Sequence, residues 1–474
     1  MNTKVVFNFL GRILIGFSAI FVFPLIIALF FGESFQPFVY AGIVSCIVGL
    51  ILYSIKPENE LLRFKESFAI VGLSWLLISI IGSIPYLFVG ASFVDAFFES
   101  MSGFTTTGAS IFDKPEVLPK SVLFWRSMTQ WLGGIGIIML FVVVFPTMAK
   151  GVLFQAEYPG ITLSKLKPRI RDTAIILYGI YLLLTSAEVL ALCLLGVPIY
   201  DAVTHAFTTL STGGFSTHTE SIAFFRNPAV EFVVAFFALL GGMNFTIHYY
   251  VLKGRFKILK DSEFRVYVSI VVFATAILTI LNLDRFDAFD SFRYSFFQVA
   301  SIITTTGYTT FDFDEWCDGA KMILLILMFV GGCSGSTGGG IKVIRIYILI
   351  RYAILQIFKA AEPKTVRAVK YGETPIKKEV VESVVAFFIL YVLIFVLSSL
   401  AVSLSGYDLV TSLSAVVASL SNVGPGMGLA GASETYSTFP DHVKLLLTFN
   451  MWLGRLEIYT VLALFIPSFW REKW

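Results

Sequence analysis

The sequence predicts an all-α polytopic membrane protein: two N-terminal transmembrane helices, then four parallel repeats, each a span, a short re-entrant helix with its loop, and a second span. Three observations predict it. Hydrophobic residues fill 57% of the 474 positions and charged residues only 14%, too little polar surface to cover a soluble core of this size. Apolar runs of about 18 residues or more recur along the chain, each long enough to cross a ~30 Å hydrocarbon layer as a helix. Two small-residue landmarks recur four times in one order, the mark of a duplicated architecture.

The first run, about residues 14–31, follows Lys4 and Arg12. It is long for a secretory signal and no small-x-small cleavage site closes it, so it is expected to stay as a span. Residues 1–65 hold this helix and a second one. The repeats follow over 66–171, 172–263, 264–377 and 378–474. Each re-entrant segment opens at an aspartate (Asp95, Asp201, Asp290 and Asp408), a good N-cap acceptor. The loops that follow cover 105–110 (Thr105-Thr106-Thr107-Gly108), 211–215 (Ser211-Thr212-Gly213-Gly214), 304–309 (Thr304-Thr305-Thr306-Gly307-Tyr308) and 421–426 (Ser421-Asn422-Val423-Gly424-Pro425-Gly426). Later in each repeat come Leu132-Gly133-Gly134, Leu240-Gly241-Gly242, Val330-Gly331-Gly332 and, in the last, Leu453-Gly454-Arg455. With two full spans per copy, every copy enters from the same side. Four parallel copies can then close with pseudo-fourfold symmetry around one pore. Irregular backbone at membrane depth is tolerated where it lines water or is buried in protein, and a shared pore meets that condition.

Charge gives the orientation. Basic residues collect in alternate connections: Lys56, Arg63 and Lys65; Lys150, Lys165, Lys167, Arg169 and Arg171; Lys253, Arg255, Lys257, Lys260 and Arg265; the link from Lys342 to Lys378; and Arg471 with Lys473. By the positive-inside rule these connections and both termini face the cytoplasm. The intervening connections carry Asp113, Glu116, Asp284, Asp287, Asp312, Asp314 and Glu315, an acidic outer side that would concentrate cations. The net charge of +3 gives no reason to expect a nucleic-acid partner. Cys46, Cys193, Cys317 and Cys333 are scattered and lack metal-ligand spacing.

The four loops suit a dehydrated cation. A potassium filter replaces hydration water with rings of backbone carbonyls, in conformations that glycine adopts cheaply. No loop contains a carboxylate, which disfavours calcium and magnesium. The short helix before each loop would aim its partially negative end at the axis. The expected potassium-binding set is Thr106, Thr107 and Gly108; Ser211, Thr212 and Gly213; Thr305, Thr306 and Gly307; Asn422, Val423 and Gly424. Ordinary turns in a packed bundle would explain one such loop better than four aligned ones.

Two departures from fourfold equivalence point to a gate. Arg455 replaces the second glycine of the repeated pair. A mid-helix charge costs about 2.5–3.5 kcal/mol on insertion scales and so faces a cavity or a partner. The expectation is a barrier below the filter; the competing one is a salt bridge to Glu457 or Glu188. In the third copy, residues 331–340 hold six glycines in ten positions, which breaks a helix. A flexible plug formed by Gly335, Ser336, Thr337, Gly338, Gly339 and Gly340, with Lys342 and Arg345 at its cytoplasmic end, is preferred over a passive kink. The stretch lacks the Gly-Lys-Ser/Thr ending of a nucleotide loop. His205, His218, His248 and His442 lack ligand spacing and are expected to be packing residues. Nothing looks catalytic, and no organic cofactor is expected.

On Phe97-Phe98-Glu99-Ser100 with its Thr105–Gly108 loop, Gly213-Gly214-Phe215-Ser216-Thr217-His218, the 331–340 stretch, Gly454-Arg455-Leu456-Glu457 and the closing Ile466-Pro467-Ser468-Phe469-Trp470-Arg471-Glu472, the sequence resembles the Trk-type bacterial potassium uptake proteins, the TrkH/TrkG/KtrB family with its fungal Trk relatives. The resemblance implies potassium uptake across the bacterial inner membrane by four membrane-pore-membrane repeats. It also implies a homodimer with a pore in each subunit, and a cytosolic nucleotide-binding ring of TrkA type that gates it. The family's filter glycines fall on Gly108, Gly213, Gly307 and Gly424, its gating loop on the glycine-rich break and its pore-facing arginine on Arg455. Each loop has far less than a full TVGYG filter, so fewer ordered sites and modest discrimination against sodium are expected. The alternative is a potassium symporter coupled to sodium or protons; parallel repeats and the lack of a carboxylate relay weigh against obligatory coupling. An intramembrane enzyme would need converging nucleophile and base residues, which the spans lack.

Overall fold

The computed structural model describes residues 1–58, 62–139, 170–363 and 367–471. The basic group Lys150, Lys165, Lys167 and Arg169 lies outside the described residues, as does Lys473. Helix α1 (Thr3–Ser18) runs through a 3-10 turn into α2 (Val22–Phe31), which stops at Gly32 with φ 69°. Helix α3 (Gln36–Tyr53) returns against α1. Their backbones approach closely because glycines face each other: a Cβ on Gly11 would lie 2.4 Å from the Tyr53 nitrogen, the small-residue packing that membrane helices favour.

Four segments of like order follow. The first comprises α4 (Phe64–Gly82), the short α5 (Phe93–Phe104) and α6 (Lys120–Met139). The second has α7 (Ile170–Leu194), α8 (Ile199–Leu210), α9 (Pro228–Gly241) and α10 (Phe245–Leu252). The third has α11 (Ser262–Asn282), α12 (Ala288–Ile303), α13 (Asp318–Val330) and α14 (Val343–Ala361). After a two-residue hairpin, β1 (Lys370–Tyr371) with β2 (Thr374–Pro375), the fourth has α15 (Lys378–Leu404), α16 (Leu409–Leu420), α17 (Asp441–Arg455) and α18 (Tyr459–Leu464). Among the described residues six stretches are long and apolar enough to cross a membrane: Thr3–Phe31, Gln36–Tyr53, Lys65–Leu87, Asp172–Leu194, Ser262–Asn282 and Lys378–Leu404. Apart from Lys65–Leu87, no more than 33% of each apolar window is buried. Their side chains face outward, as a lipid-facing surface does.

The closing helices depart from the expected continuous spans. Helices α9 and α10 meet at 101°, and Asn244 caps the second of them by accepting from Thr246 N–H at 2.9 Å. The 331–340 stretch separates α13 from α14, and left-handed Glu457 and Ile458 separate α17 from α18. One break is expected from the sequence; among the described residues the closing helices of the second, third and fourth segments each have one. The repeated glycines explain why the chain passes so close beneath the loops. A Cβ would lie 2.2 Å from Phe104 O on Gly133, 3.1 Å from Leu210 O on Gly241, and 1.9 Å from Leu420 O on Gly454. In the first, second and fourth segments the first glycine of the pair thus admits the carbonyl end of the segment's own short helix, whereas Gly331 of the third faces Gly339 O. The second faces the next loop: Gly134 abuts Ser211 and Gly242 abuts Thr304.

The helix starts also differ from expectation. Only Asp408 is an N-cap, accepting from Thr411 N–H at 3.1 Å. Ser92 and Asp287 cap α5 and α12, and Pro198 precedes α8. Asp95, Asp201 and Asp290 stand in the first turn, where a carboxylate still complements the positive end of the helix. Asp95 also meets Lys444 of α17 at 2.5 Å, tying the first short helix to the last segment.

Candidate functional site

Each short helix ends in the same way. Thr106 N–H reaches Gly103 O at 2.9 Å and Thr107 N–H reaches Ser102 O at 2.8 Å. The matching pairs are Thr212–Thr209 and Gly213–Thr208, Thr305–Ile302 and Thr306–Ser301, Asn422–Ser419 and Val423–Ala418. This is the Schellman pattern, which requires a left-handed residue directly after the cap. Thr106, Thr212, Thr305 and Asn422 fill that place with φ of 51°, 55°, 61° and 57°. Three of them are threonines, for which such backbone is an outlier that the surrounding structure must sustain. Two residues on, Gly108, Gly214, Gly307 and Gly424 are left-handed again, with φ of 87°, 76°, 78° and 100°. The second loop corrects the sequence alignment. Its left-handed glycine is Gly214, and Gly213 matches Thr107, Thr306 and Val423. Both positions are glycine and only the helix end at Leu210 sets the register, which the sequence alone does not show.

The loops meet in cyclic order. A Cβ on Gly108 would lie 2.1 Å from Gly213 O, on Gly214 1.8 Å from Thr306 O, on Gly307 2.0 Å from Val423 O, and on Gly424 2.6 Å from Thr107 O. Each left-handed glycine therefore admits the carbonyl of the next loop, and the fourth closes on the first. The N–H groups point back into the short helices. Among the described hydrogen bonds, none ends on the carbonyl oxygens of Thr106, Thr212, Thr305 or Asn422. Hydroxyls brace the ring: Thr105 bonds Thr107 at 2.8 Å, Thr304 bonds Thr306 at 2.7 Å, Tyr391 bonds Ser421 at 2.6 Å, and Asn422 Nδ2 donates to Thr107 Oγ1 at 2.9 Å.

Below the ring, all the expected gate residues are brought together. Thr337 Oγ1 donates to Leu210 O at 2.9 Å and Gly241 O at 3.0 Å, and Gly339 N–H donates to Thr305 Oγ1 at 2.7 Å. A Cβ on Gly339 would lie 2.1 Å from Ser421 O, and one on Gly340 2.6 Å from Gly331 Cα. Ser336 Oγ donates to Cys333 O at 2.6 Å, Gly335 O accepts from Phe245 N–H at 3.0 Å, and Lys342 Nζ donates to Gly338 O. Arg455, 3% exposed, donates to Thr337 O at 2.7 Å and to Gly133 O at 3.2 Å. Its hydrogen bonds thus go to carbonyls rather than to Glu188 or Glu457, and Glu457 pairs with Arg345 at 2.6 Å.

Above the ring a cleft of about 110 Å³ touches all four left-handed glycines and carries Asp113 and Glu434. A buried pair missed by sequence reasoning braces it. Arg126 meets Glu99 at 2.8 Å and donates to Ser110 Oγ and Ser216 O, each at 3.0 Å, so it joins the first loop to the second. Gln130, one turn on, donates to Gly213 O at 2.8 Å and accepts from Phe215 N–H at 3.0 Å. Polar residues inside an otherwise apolar helix were the available signal. In the outer connection, burial pushes the half-buried Asp314 carboxyl up to about 6, against the Gly428 N–H that it accepts at 2.9 Å, with Asp312 adding to the rise. His205 bonds Asp201 O at 2.7 Å and Ser216 Oγ at 3.0 Å, and His218 meets Asp201 at 3.4 Å. His248 bonds Leu240 O and His442 bonds Ser405 Oγ, each at 3.0 Å.

The family model TrkH, a cation transport protein, matches residues 34–472. The chain is 38% identical to the Trk system potassium uptake protein TrkH of Salmonella typhimurium and 37% identical to that of Escherichia coli K12, in both cases over all of both chains. It is 37% identical to TrkG of E. coli K12, again end to end. The crystal structure of the potassium transporter TrkH from Vibrio parahaemolyticus superposes with a TM-score of 0.91 at 36% identity, covering 99% of this chain and 100% of that one.

Proposed function

We propose that this chain, which belongs to the TrkH family of cation transport proteins, takes up potassium through a channel-like pore whose filter is the ring of four loops. It is a multi-pass membrane transport protein and not an enzyme. The finer architecture is four parallel membrane-pore-membrane repeats with pseudo-fourfold symmetry about that pore. The observation that carries the reading is the cyclic contact of the left-handed glycines with the next loop's carbonyls. It presses four equivalent backbone strands around one axis. There, unengaged carbonyl oxygens replace the hydration water of a potassium ion.

The 331–340 loop, Lys342 and Arg455 form the gate. The loop lies under the second, third and fourth re-entrant loops, and the guanidinium holds it to the first and fourth segments. The working unit is a homodimer under a TrkA-type cytosolic ring that binds nucleotides, with both termini on the cytoplasmic side of the inner membrane. The Trk-system names of the relatives support partner subunits, and the basic residues in alternate connections support the orientation.

Rubidium uptake into liposomes, with sodium as competitor, tests the filter by comparing the parent with Gly307→Ser. A side chain there collides with Val423 O, so the preference for the larger ion should fall about tenfold or more, as loss of some 1.4 kcal/mol would require. An unchanged preference in a variant that still reconstitutes would overturn the assignment.

A further inference from the structure

We propose that a basic cavity between α14 and the segment leading into β1 binds the headgroup of an anionic phospholipid and couples it to the gate. The cavity measures about 460 Å³ and is lined by Arg351, Arg367 and Lys370, with no carboxylate among the described residues of its wall. Aromatic rings hold the two guanidinium groups: Arg351 sits 5.3 Å from the centre of Tyr347, and Arg367 5.4 Å from that of Phe358. Tyr347 closes the far wall, donating to Lys370 O at 3.3 Å. Among the described residues no ion pair engages any of the three cations. Three exposed cations fixed around one cavity are a receptor for phosphate oxygens.

The flank identifies the source of the phosphate. On α14, Ile350, Ile354, Ile357 and Phe358 are 55%, 42%, 69% and 49% exposed. Their spacing of four, seven and eight residues puts them on one face. A free phosphate compound would leave that face bare, whereas a phospholipid covers it with acyl chain while its headgroup enters the cavity. Basic pockets on the cytoplasmic side of transmembrane helices suit this chemistry.

The consequence for transport comes from continuity. Helix α14 begins at Val343, directly after Lys342, and its first turns are buried beneath the ring. A headgroup clamping its C-terminal half to the hairpin therefore biases the segment from which the 331–340 loop springs.

The full chain, reconstituted in phosphatidylcholine vesicles with or without phosphatidylglycerol, provides the test. Native mass spectrometry reads retained lipid and rubidium uptake reads coupling. The parent should retain phosphatidylglycerol and change its uptake rate when the lipid is present. The triple variant Arg351→Gln, Arg367→Gln, Lys370→Gln should bind it on the order of a hundredfold more weakly, each cation contributing about fivefold, and should lose the rate change while keeping its phosphatidylcholine rate. Equal retention by parent and variant overturns the site, and so does displacement of the lipid by millimolar glycerol phosphate, which would identify a free-anion site. Retention without any rate change overturns the coupling. Lipid retention is read independently of ion preference, so failure of this inference is distinct from failure of the filter.

Discussion

A Cβ on Gly214 would lie 1.8 Å from the Thr306 carbonyl oxygen at a φ of 76°, whereas one on Gly213 would press on the Gln130 side-chain amide at 2.4 Å. The first collision is with backbone and adds to a left-handed penalty of about 1–2 kcal/mol for any L side chain. The second meets no backbone, only the end of the Gln130 side chain, which would shift at the expense of its bonds to Gly213 O and Phe215 N–H. Gly214→Ala is therefore expected to lower rubidium-over-sodium preference about tenfold or more, and Gly213→Ala several-fold less, in competition flux measurements. The reverse order would move the ring register to Gly213. The hydroxyl and glycine content of the loops was legible in the sequence because it is local. Their register was not, since it depends on where α8 ends. Nor was Gln130, whose partners Gly213 and Phe215 lie 83 and 85 residues away and meet it only through packing of separate segments.

The lead helices of the four segments were legible as long apolar runs, and the breaks in their closing helices were not, apart from the glycine-rich one. Asn244 carries no stronger signal than any polar residue near a glycine pair, and left-handed Ile458 runs against its own preferences, so neither break could be placed by propensity. The outer connections behave differently, because charge rather than packing sets their energetics. Asp314, at the end of the third loop's outer extension, packs against Gly428 and Gly431 of the fourth. Its folded pKa of about 6 stands above an unfolded value of about 3.9. Its contribution to stability is thus fully present below about pH 4 and lost as pH rises through 6. Asp314→Asn keeps the acceptor for Gly428 N–H and removes the charge. It should stabilise the fold at about pH 8 by no more than about 1 kcal/mol in a half-exposed, solvent-screened site, read as a higher unfolding temperature in detergent, and match the parent near pH 4. A variant less stable than the parent at alkaline pH would show that the carboxylate is held by a favourable partner instead.

At the scale of the whole molecule, the 331–340 loop is where the segments meet. Thr337 contacts the second through Leu210 O and Gly241 O, Gly339 contacts the third through Thr305, and Arg455 of the fourth joins Thr337 O to Gly133 O of the first. A loop held from four directions is a single tethered element, so removing any one tether loosens the same arrangement. Arg455→Ala removes two charge-assisted hydrogen bonds, each worth about 1.5–3 kcal/mol. Thr337→Val removes the hydroxyl's contacts at nearly constant volume. Each should raise rubidium uptake measured without a regulatory partner, by about tenfold for Arg455→Ala and less for Thr337→Val. The double variant decides whether the tethers act on one element. Residues that share a network couple by about 0.5–3 kcal/mol, whereas independent sites add. If one loop is the gate, uptake in the double variant should stay close to that of Arg455→Ala alone, because a released loop cannot be released twice. Multiplicative increases would mean that Arg455 obstructs ions by its own charge, separately from the loop. Unchanged uptake in both single variants would remove this region from the gate altogether.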